Sequence, residues 1–239
     1  MGRIGTSDKA ELVKIDKLLL SEKIDFEGIF SHYSNADGSD NNYDDYQTKN
    51  FDERIKLFTH KPKYIHIGNS ASTVKYSDRQ DQYNMTRLGI SLYGCYPSEN
   101  IEKLDKINLD PVVSLVSKVT HVKKFLKGEK LGYGVSYEAK EDEYIATVPI
   151  GYADGILRRA QGFKIKVGSE DCEIVGRVCM DQLMVRCSEN IKVGDDVLIF
   201  GENNGQKISV DDFATYQDTI SYEIFCCINK RVPRVYYKK

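Results

Sequence analysis

Polar residues follow three apolar stretches in the first half of the chain, and each of these stretches resembles a strand. They are His32 and Asp37 after the first stretch, Ser70 after the second, and Arg87 with the Gly89–Ile90 amides after the third. A hydroxyl and glycine-flanked amides at strand ends suit an anionic ligand such as phosphate. Taken singly, a strand-end histidine is more often structural and Ser70 fits a helix N-cap. The set as a whole predicts an anion site.

Three segments of the second half combine tyrosine with glycine and charge. They are LGYGVSY with Tyr133 and Tyr137, IGYADGILRR with Tyr152 and Arg158, and GRVCMDQ with Arg177 and Met180. A tyrosine transfers protons only when its pKa is lowered or a partner is positioned beside it. The spacing establishes neither, and Tyr-Gly pairs are also common turn and packing features.

Alternating helix-like and strand-like segments must position the first set. Residues 8–21 have helical periodicity with Asp8 and Glu11 as a capping box, and Phe51, Ile55 and Phe58 mark a second helix. Residues 26–33 and 64–70 resemble strands, residues 84–94 carry another strand-to-loop transition, and a helix could start near Ala71. This alternation predicts parallel βα units. A complete eightfold barrel takes roughly 250 residues, so we expect residues 1–105 to form only the C-terminal half of a (β/α)8 TIM-type barrel.

Short strands separated by turn signals dominate the rest of the chain. The alternation runs from about Pro111 to Gly201, and two short helices with Ser209 and Ser221 as N-caps are expected to follow. We therefore predict a mainly β C-terminal domain over residues 106–239. The fold class is α/β plus β.

Composition excludes several classes of protein. Lys plus Arg total 34 and Asp plus Glu total 36, which argues against a nucleic-acid partner. No apolar run approaches the roughly 18 residues of a membrane span, and the N-terminus has no apolar signal region. The six cysteines form no CxxC pair and the four histidines show no metal spacing, so we expect no metal site. A cytoplasmic location follows as an expectation.

The motifs MGRIG, SHYSNAD, GNSAS, TRLGISLYG, LGYGVSY, VPIGYADG, VGRVCMDQ and RVPRVY, in this order, resemble the alanine racemase family. The resemblance runs from Met1 to about Tyr236. It implies an N-terminal (β/α)8 barrel followed by a mainly β domain, with pyridoxal 5'-phosphate as cofactor. It also implies a homodimer whose active sites are shared across subunits. The implied activity is interconversion of L- and D-alanine, which supplies D-alanine for peptidoglycan precursors in the cell wall.

The resemblance assigns roles to matching positions. It implies that Tyr133 is the base on the L face, that Arg87 faces the pyridine nitrogen, and that His32 links this arginine towards the tyrosine. The phosphate cradle would comprise Ser70, Gly89, Ile90 and Tyr222. Arg3 and Met180 would bind the substrate, and the entrance would be lined by Tyr152, Asp37, Arg158, Arg177 and Ile220.

The chemistry suits these residue types. Racemisation removes the α-proton from one face and returns a proton to the other, so two bases on opposite faces are the direct solution. Pyridoxal phosphate is an electron sink. Because arginine stays charged, we expect Arg87 to leave the pyridine nitrogen unprotonated, which would weaken the sink and favour reprotonation over transamination.

One family feature is missing from this sequence. The other base is the lysine that holds the cofactor, in a Val-Lys-Ala-Asn-Ala-Tyr-Gly-like segment, and no such segment occurs between Met1 and Lys239. We therefore expect the chain as given to be a C-terminal portion that is inactive alone. Two alternatives remain: a non-catalytic dimerisation or interaction module, and a racemase for serine or another small amino acid.

Overall fold

The structure, a computed structural model, describes residues 1–21, 24–77 and 83–237. The chain divides into two compact units, Met1–Asp110 and Pro111–Lys239. Among the described residues, no helix combines the length and apolar character needed to cross a bilayer.

The first unit alternates helices with short parallel strands. Its elements are α1 (Lys9–Ser21), β1 (Gly28–Phe30), α2 (Asn42–Ile55), β2 (Tyr64–His66), α3 (Ser70–Lys75), a 3₁₀ turn (Ile90–Tyr93) and α4 (Glu99–Glu102). β1 and β2 pair in parallel with Ile29 opposite Ile65. A buried cluster holds the unit together: Tyr33, Ala36, Phe51, Ile67, Ala71, Val74, Tyr76 and Ile101.

Several predicted elements of this unit differ from the structure. α1 is confirmed, and the Glu11 amide donates to the Asp8 carboxylate at 2.9 Å, as a cap requires. α2 begins well before Phe51 and ends before Phe58. The strand-to-loop transition predicted within residues 84–94 is wrong in its strand part, because none of these residues lies in a strand. There the Arg87 amide donates to the Gly68 carbonyl at 3.2 Å, outside any strand ladder, and the chain then enters the 3₁₀ turn.

The second unit is built on one eight-stranded antiparallel sheet. The strands are β3 (Leu115–Lys118), β4 (His121–Phe125), β7 (Glu143–Val148), β8 (Lys164–Val167), β9 (Glu170–Val175), β10 (Leu183–Cys187), β11 (Asp196–Asn203) and β12 (Gln206–Ile208). Their order in the sheet is β12-β11-β8-β9-β10-β7-β4, and β3 also pairs with β11. β5 (Lys130–Leu131) and β6 (Tyr137–Glu138) form a separate two-stranded ribbon.

Two helices close this unit, α5 (Val210–Tyr216) and α6 (Ser221–Cys227). Ser209 caps α5 as predicted, because its hydroxyl accepts from the Asp211 and Asp212 amides at 3.1 and 3.3 Å. The prediction for Ser221 is wrong. Ile220 occupies the cap position without a side-chain cap, and Ser221 is already helical. The fully buried Phe200 and Phe213 rings pack 5.8 Å apart in the core.

Candidate functional site

The Arg87 guanidinium lies at the C-terminal ends of β1 and β2. Nη2 donates to the Ser31 carbonyl at 2.8 Å and contacts Nδ1 of His32 at 2.8 Å, and Nη1 contacts Nδ1 of His66. The ring of Phe30 lies 5.3 Å from the guanidinium carbon. It also stacks on His66 with centroids 5.3 Å apart. The predicted pair of His32 and Arg87 is therefore in direct contact, within a cluster that extends to a second histidine.

The pKa of both imidazoles in this cluster is lowered, which favours their neutral forms at pH 7. Burial is the main cause that lowers the pKa of His32 and of His66, and the charge of Arg87 lowers both further. Arg3 is an additional cause for His32. A guanidinium has only donors, so each Nδ1 that faces it must be the acceptor and carries no proton. The neutral form of each ring is therefore the tautomer that carries its proton on Nε2.

His66 is the member of this cluster that the sequence motifs did not indicate. The signal was present, since His66 precedes the Gly68-Asn69-Ser70 strand end by only two residues. Nothing in the spacing shows that a ring on β2 reaches an arginine 21 positions away. Only the parallel register of β1 and β2 brings the two strand ends to the same guanidinium.

The Ser70 hydroxyl is the second centre of this site. Ser70 is 3% exposed, and its Oγ accepts from the Gly89 amide at 2.8 Å and the Ser91 amide at 3.5 Å. The expectation that Ser70 could be merely a helix cap is wrong, because Asn69 caps α3: Oδ1 of Asn69 accepts from the Ser72 amide at 3.0 Å. The Ser70 hydroxyl proton therefore remains available to an external acceptor.

We expect the replacement of Arg87 by glutamine to raise the pKa of both histidines. The substitution removes the positive charge and leaves Nδ1 free to accept a proton, while burial still holds each pKa somewhat below 6.5. Histidine NMR titration of wild type and Arg87→Gln measures the shift, with exposed His60 as the internal control. Unchanged His32 and His66 curves would refute the contact.

The same shifts set the sign of a pH effect on stability. Because the folded-state pKa values of His32 and His66 lie below 6.5, the unfolded chain binds more protons near and below that pH. The contribution of these rings to stability is complete above about pH 6.5 and is lost as the pH falls through their folded-state pKa values.

Asp37 and Arg3 lie elsewhere in the first unit. Asp37 is exposed on the loop between β1 and α2, and its carbonyl accepts from the Ser98 hydroxyl at 2.7 Å and from Asn100 at 3.3 Å. Arg3 is exposed, and its charge contributes to the lowered pKa of both His32 and Arg87, after burial. Arg3 therefore acts on the cluster through its charge, whereas Asp37 has its contacts with Ser98 and Asn100.

In the second unit, Tyr133 stands on a 3₁₀ turn between two glycines with positive φ. Gly132 has φ +78° and Gly134 has φ +69°, and the tyrosine side chain between them is 71% exposed. A Cβ on Gly134 would lie 2.7 Å from Nη1 of Arg177. The Arg177 amide donates to the Ser136 hydroxyl at 3.0 Å. The turn therefore presents Tyr133 outward and lies directly against Arg177.

Tyr152 and Met180 lie on two loops that are hydrogen-bonded to one another. The Tyr152 amide donates to the Cys179 carbonyl and the Ala153 amide to the Met180 carbonyl, both at 3.0 Å. Gly151 permits this approach, because a Cβ there would lie 2.3 Å from the Cys179 oxygen and 2.4 Å from the Met180 oxygen. Tyr152 and Met180 remain 44% and 54% exposed.

The remaining predicted residues lie on the surface of the second unit. Arg158 begins the 3₁₀ turn Arg158–Ala160 and is exposed. Ile220 and Tyr222 lie together at the start of α6, with 60% and 39% exposure. The structure thus places Tyr133 beside Arg177 and Tyr152 beside Met180. Arg177 and Met180 belong to the same loop, which runs from Gly176 to Asp181.

Both units match described families. Residues 1–97 match "Alanine racemase, N-terminal domain" and residues 112–236 match "Alanine racemase, C-terminal domain". The chain belongs to the alanine racemase family. The alanine racemase of Ligilactobacillus salivarius is 47% identical over 241 residues, which cover 99% of this chain and 63% of that protein. The alanine racemase of Anoxybacillus flavithermus is 44% identical over 100% of this chain and 62% of that protein.

Solved structures of alanine racemases confirm the predicted fold class. The Bacillus anthracis alanine racemase with bound L-Ala-P has a TM-score of 0.93 at 39% identity, over 100% of this chain and 62% of that one. A histidine racemase from Leuconostoc mesenteroides has a TM-score of 0.87 at 27% identity, over 98% of this chain and 63% of that one. The fold is part of a TIM-type barrel followed by a mainly β unit. The chain spans about 63% of the length of the curated relatives it matches.

Proposed function

We propose that this chain carries most of the active-site residues of an alanine racemase that interconverts L- and D-alanine with pyridoxal 5'-phosphate. The observation that carries the proposal is the Arg87 guanidinium held by two neutral histidines, on the same segment as the amides that meet Ser70. An aromatic nitrogen heterocycle with a phosphate arm needs a donor for the ring nitrogen and a set of donors for the phosphate. This segment supplies both.

The donor set at Ser70 fits a phosphate group. The Gly89 and Ser91 amides both donate to Ser70 Oγ, which leaves the hydroxyl proton of Ser70 for a bound oxygen. Gly89 adds no side chain beside this hydroxyl, since a Cβ there would lie 3.7 Å from Ser70 Oγ. Among the described residues, the buried Ser91 Oγ has no hydrogen-bond partner, which marks a donor available to a bound oxygen. Ser70, Gly89, Ile90 and Tyr222 would hold the phosphate, and Arg87 would face the pyridine nitrogen.

When bound, the cofactor supplies an electron sink for the charge left at Cα. The chain's own residues then fix where protons can move. Arg87 offers only donors, so it directs a hydrogen bond to the ring nitrogen without transferring a proton. His32, neutral and oriented by Arg87, holds the guanidinium in place. Tyr133 would take and return the proton on the L face of the substrate.

The remaining roles follow the same reasoning. Arg3 would attract the substrate carboxylate and the Met180 backbone would contact it. Tyr152, Asp37, Arg158, Arg177 and Ile220 would form the entrance. We place Tyr133 and Met180 against the barrel of a partner subunit in a homodimer, in the cytoplasm, where the product D-alanine supplies cell-wall precursors.

Substrate choice has one specific alternative. The structural similarity to a histidine racemase supports testing a larger amino acid beside alanine and serine. A non-catalytic module, the other alternative, would not need the Arg87 cluster or an exposed Tyr133.

The test joins the chain to the preceding segment of an alanine racemase relative, which brings the family's cofactor lysine, and measures racemisation of L-alanine, L-serine and L-histidine. We expect turnover of L-alanine above the others, and none from residues 1–239 alone. Faster racemisation of L-serine or L-histidine than of L-alanine would replace alanine as the proposed substrate. Cofactor binding without turnover of any of the three would favour the module.

A further inference from the structure

The RVPRVY motif has no role in the site described so far, although its first arginine connects two loops of that site. Nε of Arg231 donates to Oδ1 of Asp154 at 2.6 Å, and Nη2 forms an ion pair with Asp181. The Asn229 amide also donates to the Asp154 carbonyl at 3.0 Å. The segment after α6 is therefore fixed to the Gly151–Asp154 turn at two points.

Each carboxylate that Arg231 meets belongs to a loop carrying a proposed entrance or substrate residue. Oδ2 of Asp154 accepts from the Gly151 amide at 2.8 Å, and this closes the turn that presents Tyr152. Asp181 directly follows Met180. One guanidinium thus spans the Tyr152 turn and the Met180 loop.

The pairing with Asp154 differs from an ordinary surface ion pair. Asp154 is only 7% exposed, so its charge depends on its partners. Burial acts to raise the pKa of Asp154, but the hydrogen bonds from Arg231 and from the Gly151 amide outweigh it and hold the pKa below its usual range. Two carboxylates bound through different nitrogens require the planar fork of arginine, which a lysine ammonium does not reproduce.

We propose that Arg231 is a positioning residue that holds the Tyr152 turn and the Met180 loop in register at the substrate entrance. The assignment of the entrance rests on the proposed function, whereas the coupling of Arg231 to the Tyr152 turn does not.

The first measurement needs no activity. Tyr152 is labelled with 3-fluorotyrosine in the full chain, and its ¹⁹F resonance is compared between wild type, Arg231→Lys and Arg231→Gln. We expect a shifted or broadened Tyr152 signal in both variants while the far-UV spectrum stays native. Arg186→Lys is the matched control, because Arg186 pairs with Glu173 at 2.8 Å between the neighbouring strands β10 and β9 and with no residue of the Tyr152 turn. An unchanged Tyr152 signal in a folded Arg231→Gln variant overturns the proposal.

The second measurement uses the chain joined to the relative's segment. Since misplacing a substrate-positioning group by about 1 Å can cost about 100-fold, we expect Arg231→Lys to lower kcat/KM for alanine by at least about tenfold, mainly through KM. Arg186→Lys should behave as wild type. If the ¹⁹F signal of Tyr152 shifts but KM for alanine is unaltered, Arg231 is coupled to the Tyr152 turn, and its proposed role at the substrate entrance is wrong. Absence of racemisation in the unsubstituted protein would count against the proposed function instead.

If Arg231→Gln does not fold, Asp181→Asn replaces it. This variant leaves the buried Asp154 paired and removes only the link to the Met180 loop. The same ¹⁹F shift at Tyr152 supports the proposal, and an unchanged spectrum contradicts it.

Discussion

Replacing Tyr133 by phenylalanine is expected to slow racemisation of alanine by about 10²–10⁴-fold, the contribution typical of one acid–base group. The experiment uses the chain joined to the relative's N-terminal segment. The substitution keeps the ring and removes only the hydroxyl. Because Tyr133 is 71% exposed on its glycine turn, the loss of the hydroxyl should leave the stability of the second unit unchanged. Turnover and the thermal midpoint are measured together.

Tyr137 provides the matched control for this substitution. Its hydroxyl donates to the buried Glu143 carboxylate at 2.6 Å, and burial together with Glu143 raises the pKa of Tyr137 to about 12. A phenol with that pKa stays protonated near neutral pH, so it is not available to accept a proton from the substrate. Tyr137→Phe should therefore cost stability, by about 1–3 kcal/mol for the unpaired Glu143, with little direct effect on turnover. A larger loss of turnover in Tyr137→Phe than in Tyr133→Phe would reverse the assignment.

The second large effect is expected at Gly151. A Cβ at this position would lie 2.3 and 2.4 Å from two carbonyl oxygens of the Met180 loop, and backbone atoms cannot move aside as a flexible side chain could. Gly151→Ala should therefore separate the two loops and destabilise the second unit by about 1–3 kcal/mol or more. It should also reduce turnover, because the amides of Tyr152 and Ala153 would lose their partners on the other loop.

Gly128→Ala is the control for that prediction. Gly128 has a positive φ of +86°, unlike Gly151, but nothing lies within 4 Å of a Cβ there. Its substitution introduces backbone strain of about 1 kcal/mol without a steric clash. The measurement is the thermal midpoint of both variants. A midpoint of Gly151→Ala that is no lower than that of Gly128→Ala would contradict the close approach of the two loops.

Local patterns in the sequence predicted the strands of the second unit well, because period-2 alternation and turn residues act within a few positions. β10 (Leu183–Cys187), for example, lies within the alternating stretch predicted from about Pro111 to Gly201. The prediction of a strand within residues 84–94 fails for the same reason: the apolar residues there fit a strand locally, whereas the Arg87 and Gly89 amides bond to Gly68 and Ser70. Those partners are distant in sequence, so no local pattern could reveal them.

The candidate site likewise divides into features that depend on neighbouring residues and features that depend on contacts between distant ones. Residues adjacent in a motif, such as Tyr133 beside its glycines, could be proposed from the sequence. The contacts of Arg87 with His66 and of Arg231 with Asp154 span 21 and 77 positions. They depend on strand register and on the path of the chain after α6, which residue types alone do not specify. The roles of the site residues remain predictions from family resemblance.

The central claim is that Tyr133 is the base on the L face and that a different group serves the D face. Deuterium incorporation at Cα from D₂O, followed separately from L-alanine and D-alanine, tests it most directly. In Tyr133→Phe we expect exchange from L-alanine to collapse while exchange from D-alanine persists, and in Tyr152→Phe we expect weaker substrate affinity with exchange from both enantiomers retained. Exchange from L-alanine at the wild-type rate in Tyr133→Phe would contradict the account and leave Tyr152 as the candidate to test next.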